Sequence, residues 1–80
     1  GHEVVLDIIA SYVYVGTLSE YDHRYLVLTN VDVHDLRDTT TTREMYVLAA
    51  KRHGVNVSRQ RAYVNREQVV SLSLLSDVAD

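Results

Sequence analysis

Two stretches of the chain hold residue types able to bind ions or polyanions. Asp32, His34, Asp35 and Asp38 stand close together, and on a strand Asp32 and His34 would share one face. Oxygen and imidazole ligands hold a metal only as a converging cage, and this pair lacks a third well-spaced ligand, so no metal site is expected. Lys51, Arg52, Arg59 and Arg61 form the basic cluster of the chain. Such a cluster suits an anionic partner, although a wet helix end followed by a polar connector accounts for it as well. His23 and His53 fall in a turn and at a helix end, ordinary places for surface histidines. Covalent chemistry has little to work with. Cysteine is absent, and the sequence contains neither a Gly-x-Ser-x-Gly elbow nor a glycine run able to cradle phosphate. No enzymatic activity and no cofactor are expected.

The elements that must position these residues belong to one small domain. The chain has 80 residues, 46% of them hydrophobic, with three glycines and no proline. A domain of this size leaves much of its surface wet, and without cysteine it has no disulfide staple, which fits a cytoplasmic setting. With 24% charged residues and apolar residues throughout, it is not a disordered chain. The densest apolar stretch, 25–33, is interrupted by Thr29, Asn30 and Asp32, so no membrane span is expected. The formal charge of −3 hides an asymmetry. Residues 1–38 are strongly acidic, whereas residues 39–80 carry Arg43, Lys51, Arg52, Arg59, Arg61 and Arg66 against only four acids. Such a split fits either a basic patch for an anionic partner or complementary faces that meet in a self-assembled ring. The opening pair Gly1-His2 reads as a scar of tag cleavage and is left out of the fold reasoning.

Residues 4–9 are β-branched and apolar apart from Asp7, and read as a first strand. A second strand is expected over 12–20, with Gly16 marking a bulge or a close backbone approach. Residues 21–24 connect it to a third strand over 25–33. There Leu26 and Leu28, with Val31 and Val33 after a register shift near Thr29-Asn30, face the core. Residues 34–42 are polar and turn-like. Thr41-Thr42-Arg43-Glu44 fits a capping box opening a short helix, in which Met45, Leu48, Ala49 and Arg52 recur at helical spacing. Lys51, Arg52 and His53 suit the negative end of its dipole, and Gly54 the C-cap. A polar connector, a short strand at 61–64, a tight turn at 65–68, a last strand at 69–75 and an acidic tail at 76–80 complete the chain. Five strands and one helix suit a mainly β fold, a small and strongly bent five-stranded antiparallel barrel with its helix between strands 3 and 4.

The stretch Val15-Gly16-Thr17-Leu18-Ser19-Glu20-Tyr21-Asp22 resembles the first motif of the Sm-like (LSm) family, hydrophobic-x-Gly-x-Leu-x-x-aromatic-Asp. Leu26-Val27-Leu28-Thr29-Asn30 is similar to the apolar strand that follows it. Tyr63-Val64-Asn65-Arg66-Glu67-Gln68-Val69-Val70-Ser71-Leu72 looks like the second motif. The resemblance implies a single Sm-like domain over 3–75. It implies assembly into a homo-oligomeric ring in which the fourth strand of one subunit pairs with the fifth of the next. It further implies single-stranded RNA at the inner pore, contacted by Asp22, Tyr25, Asn65 and Arg66. The sequence departs from the family pattern in two places. Tyr25 or Leu26 stands where the first motif has Asn, and Asn65-Arg66 where the second has Arg-Gly. An Asn amide reads base edges while an arginine plane or aromatic ring stacks on them, so the same tools stand in exchanged places. Many family members carry a helix at the N-terminus; this stretch shows none there, so either that helix lies outside it or the face it covers is covered otherwise. The alternative reading is a scaffold of the same fold that binds proteins and no RNA, with Asp22 a turn cap, Tyr25 a half-buried strand residue and Arg66 solvated.

Overall fold

In the computed structural model, which describes residues 1–38 and 40–80, the strands are β1 (Glu3–Ile8), β2 (Tyr12–Tyr21), β3 (Tyr25–Asp35), β4 (Arg59–Asn65) and β5 (Val69–Leu74). A helix, α1 (Arg43–His53), lies between β3 and β4. All strand pairs are antiparallel and belong to one sheet of order β4-β3-β2-β1-β5. The fold is therefore mainly β with the helix where the sequence puts it. Among the described residues no ladder joins β4 to β5, which form the two edges of the sheet. Thr39, part of the threonine run, lies outside the described residues.

Alternation divides the strands between two apolar clusters. Val4, Leu6, Leu26, Leu28, Val31 and Val64 pack on one face. Val5, Val13 and Val15 point the other way, onto Val47 and Ala50 of α1 and onto Leu75. Leu6 and Leu28 are completely buried, each contributing about 1.5–3 kcal/mol of apolar burial. The inserted helix thus covers a sheet face that would otherwise be wet. It does so with Val47 and Ala50, while Met45 is exposed. The helix is tethered at its start. Arg43 donates from Nε and Nη2 to the two carboxylate oxygens of Asp7 on β1, both at 2.6 Å. The Ser71 hydroxyl of β5 donates to the same carboxylate at 2.9 Å.

The capping box does not close as expected. Thr42 is the N-cap, its hydroxyl accepting from Met45 N at 3.2 Å, and the Glu44 carboxylate accepts from Arg43 Nη1 instead. Gly54 forms the C-cap at φ 90°, donating its N–H to the Ala50 carbonyl; this left-handed backbone favours glycine.

The register shifts expected at Gly16 and near Thr29-Asn30 are one feature. Val15 pairs with Asp32 and Thr17 with Thr29, leaving an extra residue on β3 that Asn30 absorbs at φ 50°. A Cβ on Gly16 would stand 3.1 Å from the Thr29 carbonyl oxygen and 3.2 Å from the Val31 Cα. A second shift follows between Leu18 and Glu20. β4 begins earlier than the expected 61–64, because Arg59 pairs with Val31 across this bulge. Residues Leu75–Asp77 form a 3-10 turn with Leu75 buried, and Val78 packs on the helix-side cluster.

Candidate nucleic-acid interface

Two turns meet at one end of the sheet. The first links β2 to β3 and is held by Asp22, whose Oδ1 accepts from the backbone N–H groups of Arg24 and Tyr25, both at 2.7 Å. These two donors, Tyr25 first, keep its carboxyl below the ordinary aspartate range. The second is a 3-10 turn, Arg66–Gln68, capped by Asn65, whose Oδ1 accepts from Glu67 N at 2.9 Å. The turns are bonded to each other. Arg66 N donates to the Arg24 carbonyl at 2.9 Å, and Arg66 Nη1 to the Asp22 carbonyl at 2.6 Å. Tyr25 stands opposite Asn65 in the β3–β4 register.

Asp22, Tyr25, Asn65 and Arg66 are thus brought together from positions far apart in the chain. Their side chains are not equally free. Asp22 and Asn65 are occupied as backbone caps, and the Arg66 guanidinium rests on a carbonyl. Tyr25 is partly exposed, its ring edge-to-face with Tyr63 at 6.4 Å between centroids. Between the turns lies an open depression of about 350 Å³ lined by His23, Arg24, Asn65 and Glu67. His23, Arg24 and Glu67 were not singled out for ligand contact from the sequence. The signal that could have found them is position alone, since they flank Asp22 and Arg66 in the two turns. Imidazole, guanidinium and amide groups here offer hydrogen bonds to bases and phosphates, against which the Glu67 carboxylate works.

The other chemistry-bearing residues are dispersed. Asp32 accepts from the Tyr46 hydroxyl at 2.7 Å. Burial first, and this contact second, push the Tyr46 hydroxyl well above the usual tyrosine range. His34 is buried, its ring stacked on Tyr46 at 4.5 Å, with Nε2 at 2.9 Å from the Thr41 carbonyl oxygen, to which it can donate. Asp35 pairs with Arg37, whose guanidinium and backbone N–H draw its carboxyl down to about 2, and Asp38 caps Thr40. Among the described residues no three such side chains form a metal-holding group. The basic cluster also divides. Lys51 binds the Asp80 carboxylate and the Val78 carbonyl, while Arg59 and Arg61 lie on β4 and make no ion pair among the described residues. No helix among the described residues is long and apolar enough to cross a membrane. Comparison with protein-family models, with curated proteins and with solved structures finds no match to this chain.

Proposed function

We propose that this chain is one segment of a cytoplasmic, Sm-like homo-oligomeric ring that presents its paired turns to single-stranded RNA. The observation that carries the reading is the strand order. β4 and β5 lie at opposite open edges of one sheet, so β4 of one copy meets β5 of the next when the copies are arranged around an axis. Unpaired edges offer rows of free hydrogen-bonding groups, and a closed ring removes them. The β5 edge also exposes apolar side chains, Val70 and Leu72, which a neighbouring subunit would cover. The bulges at Asn30 and between Leu18 and Glu20 supply local bending of the kind a strongly curved, barrel-like sheet needs. RNA contact is assigned to Tyr25 and Arg66, aided by Asn65, with Asp22 shaping the turn.

A second reading, a protein scaffold of the same fold without RNA, is favoured by the occupation of Asp22, Asn65 and Arg66 in contacts to the backbone. Titration with single-stranded oligouridine at several salt concentrations separates the two. Binding that weakens steeply with salt and falls on Arg66→Ala supports the RNA reading. No binding at low salt refutes it and leaves the scaffold.

A further inference from the structure

One sheet face carries a row of side chains that neither core cluster absorbs. In the β3–β4 register Thr29 stands opposite Arg61, Val27 opposite Tyr63 and Tyr25 opposite Asn65. Their neighbours Leu26, Leu28, Ala62 and Val64 turn to the core. Within the row only Val27 is buried, and Tyr63 is 62% exposed. Its ring touches Tyr25 edge-to-face and otherwise faces water, an unusual place for so large an apolar surface. Arg61 is exposed and has no ion-pair partner among the described residues. Side chains two apart on a strand are spaced by about 6.8 Å, so Arg61, Tyr63 and Asn65 present a cation, a ring and an amide in succession.

We infer that this face of β3 and β4 is a stacking platform for single-stranded nucleic acid, with bases on Tyr63 and Tyr25 and backbone phosphate at Arg61. Charge complementarity and aromatic surface coincide here as single strands require, a cation for the backbone beside rings on which any base stacks. Arg24 and Arg66 continue the positive character at the turn end. Two acids lie nearby: Glu20, across Val27 on β2, and Glu67 in the turn. The platform takes its class of ligand from the proposed RNA reading but needs neither the ring nor an inner pore.

The test is fluorescence anisotropy with labelled 12-mers of oligouridine and oligothymidine, against the intact chain and the variants Tyr63→Leu, Tyr63→Phe, Arg61→Gln and Arg66→Ala. Light scattering on each variant keeps assembly and binding apart. Tyr63→Leu is expected to weaken binding roughly tenfold or more while leaving the salt slope unchanged, and Tyr63→Phe to retain it. Arg61→Gln is expected to lower the salt slope by about one. Equal effects on both oligomers assign the platform to single strands in general, and a loss confined to oligouridine assigns it to RNA. Binding that falls on Arg66→Ala yet is indifferent to Tyr63→Leu and Arg61→Gln overturns the platform and spares the turn site. The converse pattern upholds the platform and removes the turn site. No binding of either oligomer at low salt overturns both, and leaves the ring to be judged by its mass.

Discussion

Replacing Asp7 by Asn should loosen the tether that fixes α1 on the sheet. Asp7 and Arg43 meet through two contacts of 2.6 Å, with side chains 24% and 32% exposed, respectively. A hydrogen bond to a charged group contributes about 1.5–3 kcal/mol when shielded from water. A fully exposed ion pair contributes at most about 1 kcal/mol. This pair lies between those limits, and Asn keeps one acceptor oxygen, so Asp7→Asn is expected to cost about 1–2 kcal/mol. In a domain this small that lowers the melting temperature by about 5–15 °C. Circular dichroism melts at fixed protein concentration measure it, since assembly would otherwise change the apparent stability. The effect has a pH signature. The Arg43 hydrogen bond, outweighing burial, lowers the Asp7 carboxyl in the folded state. Its stabilisation is therefore present above the unfolded aspartate value of about 4, and is lost as the pH falls through the lower folded value. The gap between wild type and Asp7→Asn should accordingly be constant near neutrality and close in acid. A gap below about 0.3 kcal/mol at pH 7, within the range of unremarkable surface changes, would refute the tether. So would a gap that persists unchanged into strong acid.

Gly16→Ala places a methyl group against the Thr29 carbonyl and the Val31 Cα, both backbone atoms. Overpacking of about 1–3 kcal/mol, partly offset by the backbone freedom that glycine loses, should destabilise the fold by about 1 kcal/mol in urea unfolding. Tyr46→Phe removes the hydroxyl that donates to Asp32, and should cost about 1–2 kcal/mol in the same assay. In an ultraviolet titration of the wild type, one of its six tyrosines should ionise later than the others. Stability carried by the neutral Tyr46 hydroxyl should be full below about pH 10 and decline above it; a single uniform tyrosine titration would contradict this.

Local signals were legible where one residue type decides the backbone. Gly54 ends the helix, Asp22 closes its turn, and Asn30 takes the left-handed position at the bulge, each by a preference that acts within a few residues. Contacts between distant residues were not. Nothing near Asp7 announces Arg43, so Asp7 read as a mere polar interruption of the first strand. The apolar run of β5 reads as a strand, and as an edge strand it leaves Val70 and Leu72 in water. Composition cannot distinguish an edge strand from a central one, since the difference lies in what pairs beyond it. At the paired turns, the sequence resemblance named Asp22, Tyr25, Asn65 and Arg66. It could not tell that the Arg66 guanidinium spends itself on the Asp22 carbonyl, because that bond crosses between turns far apart in the chain.

The ring is the central claim, and the mass of the purified chain in solution tests it most directly. Light scattering coupled to size-exclusion chromatography should give one species at a whole-number multiple of 9.1 kDa, larger than a dimer. Val70→Glu, which charges the exposed β5 edge without touching either core cluster, should dissociate it while circular dichroism stays unchanged. A wild-type chain that elutes as a folded 9.1 kDa monomer at all accessible concentrations would contradict the account.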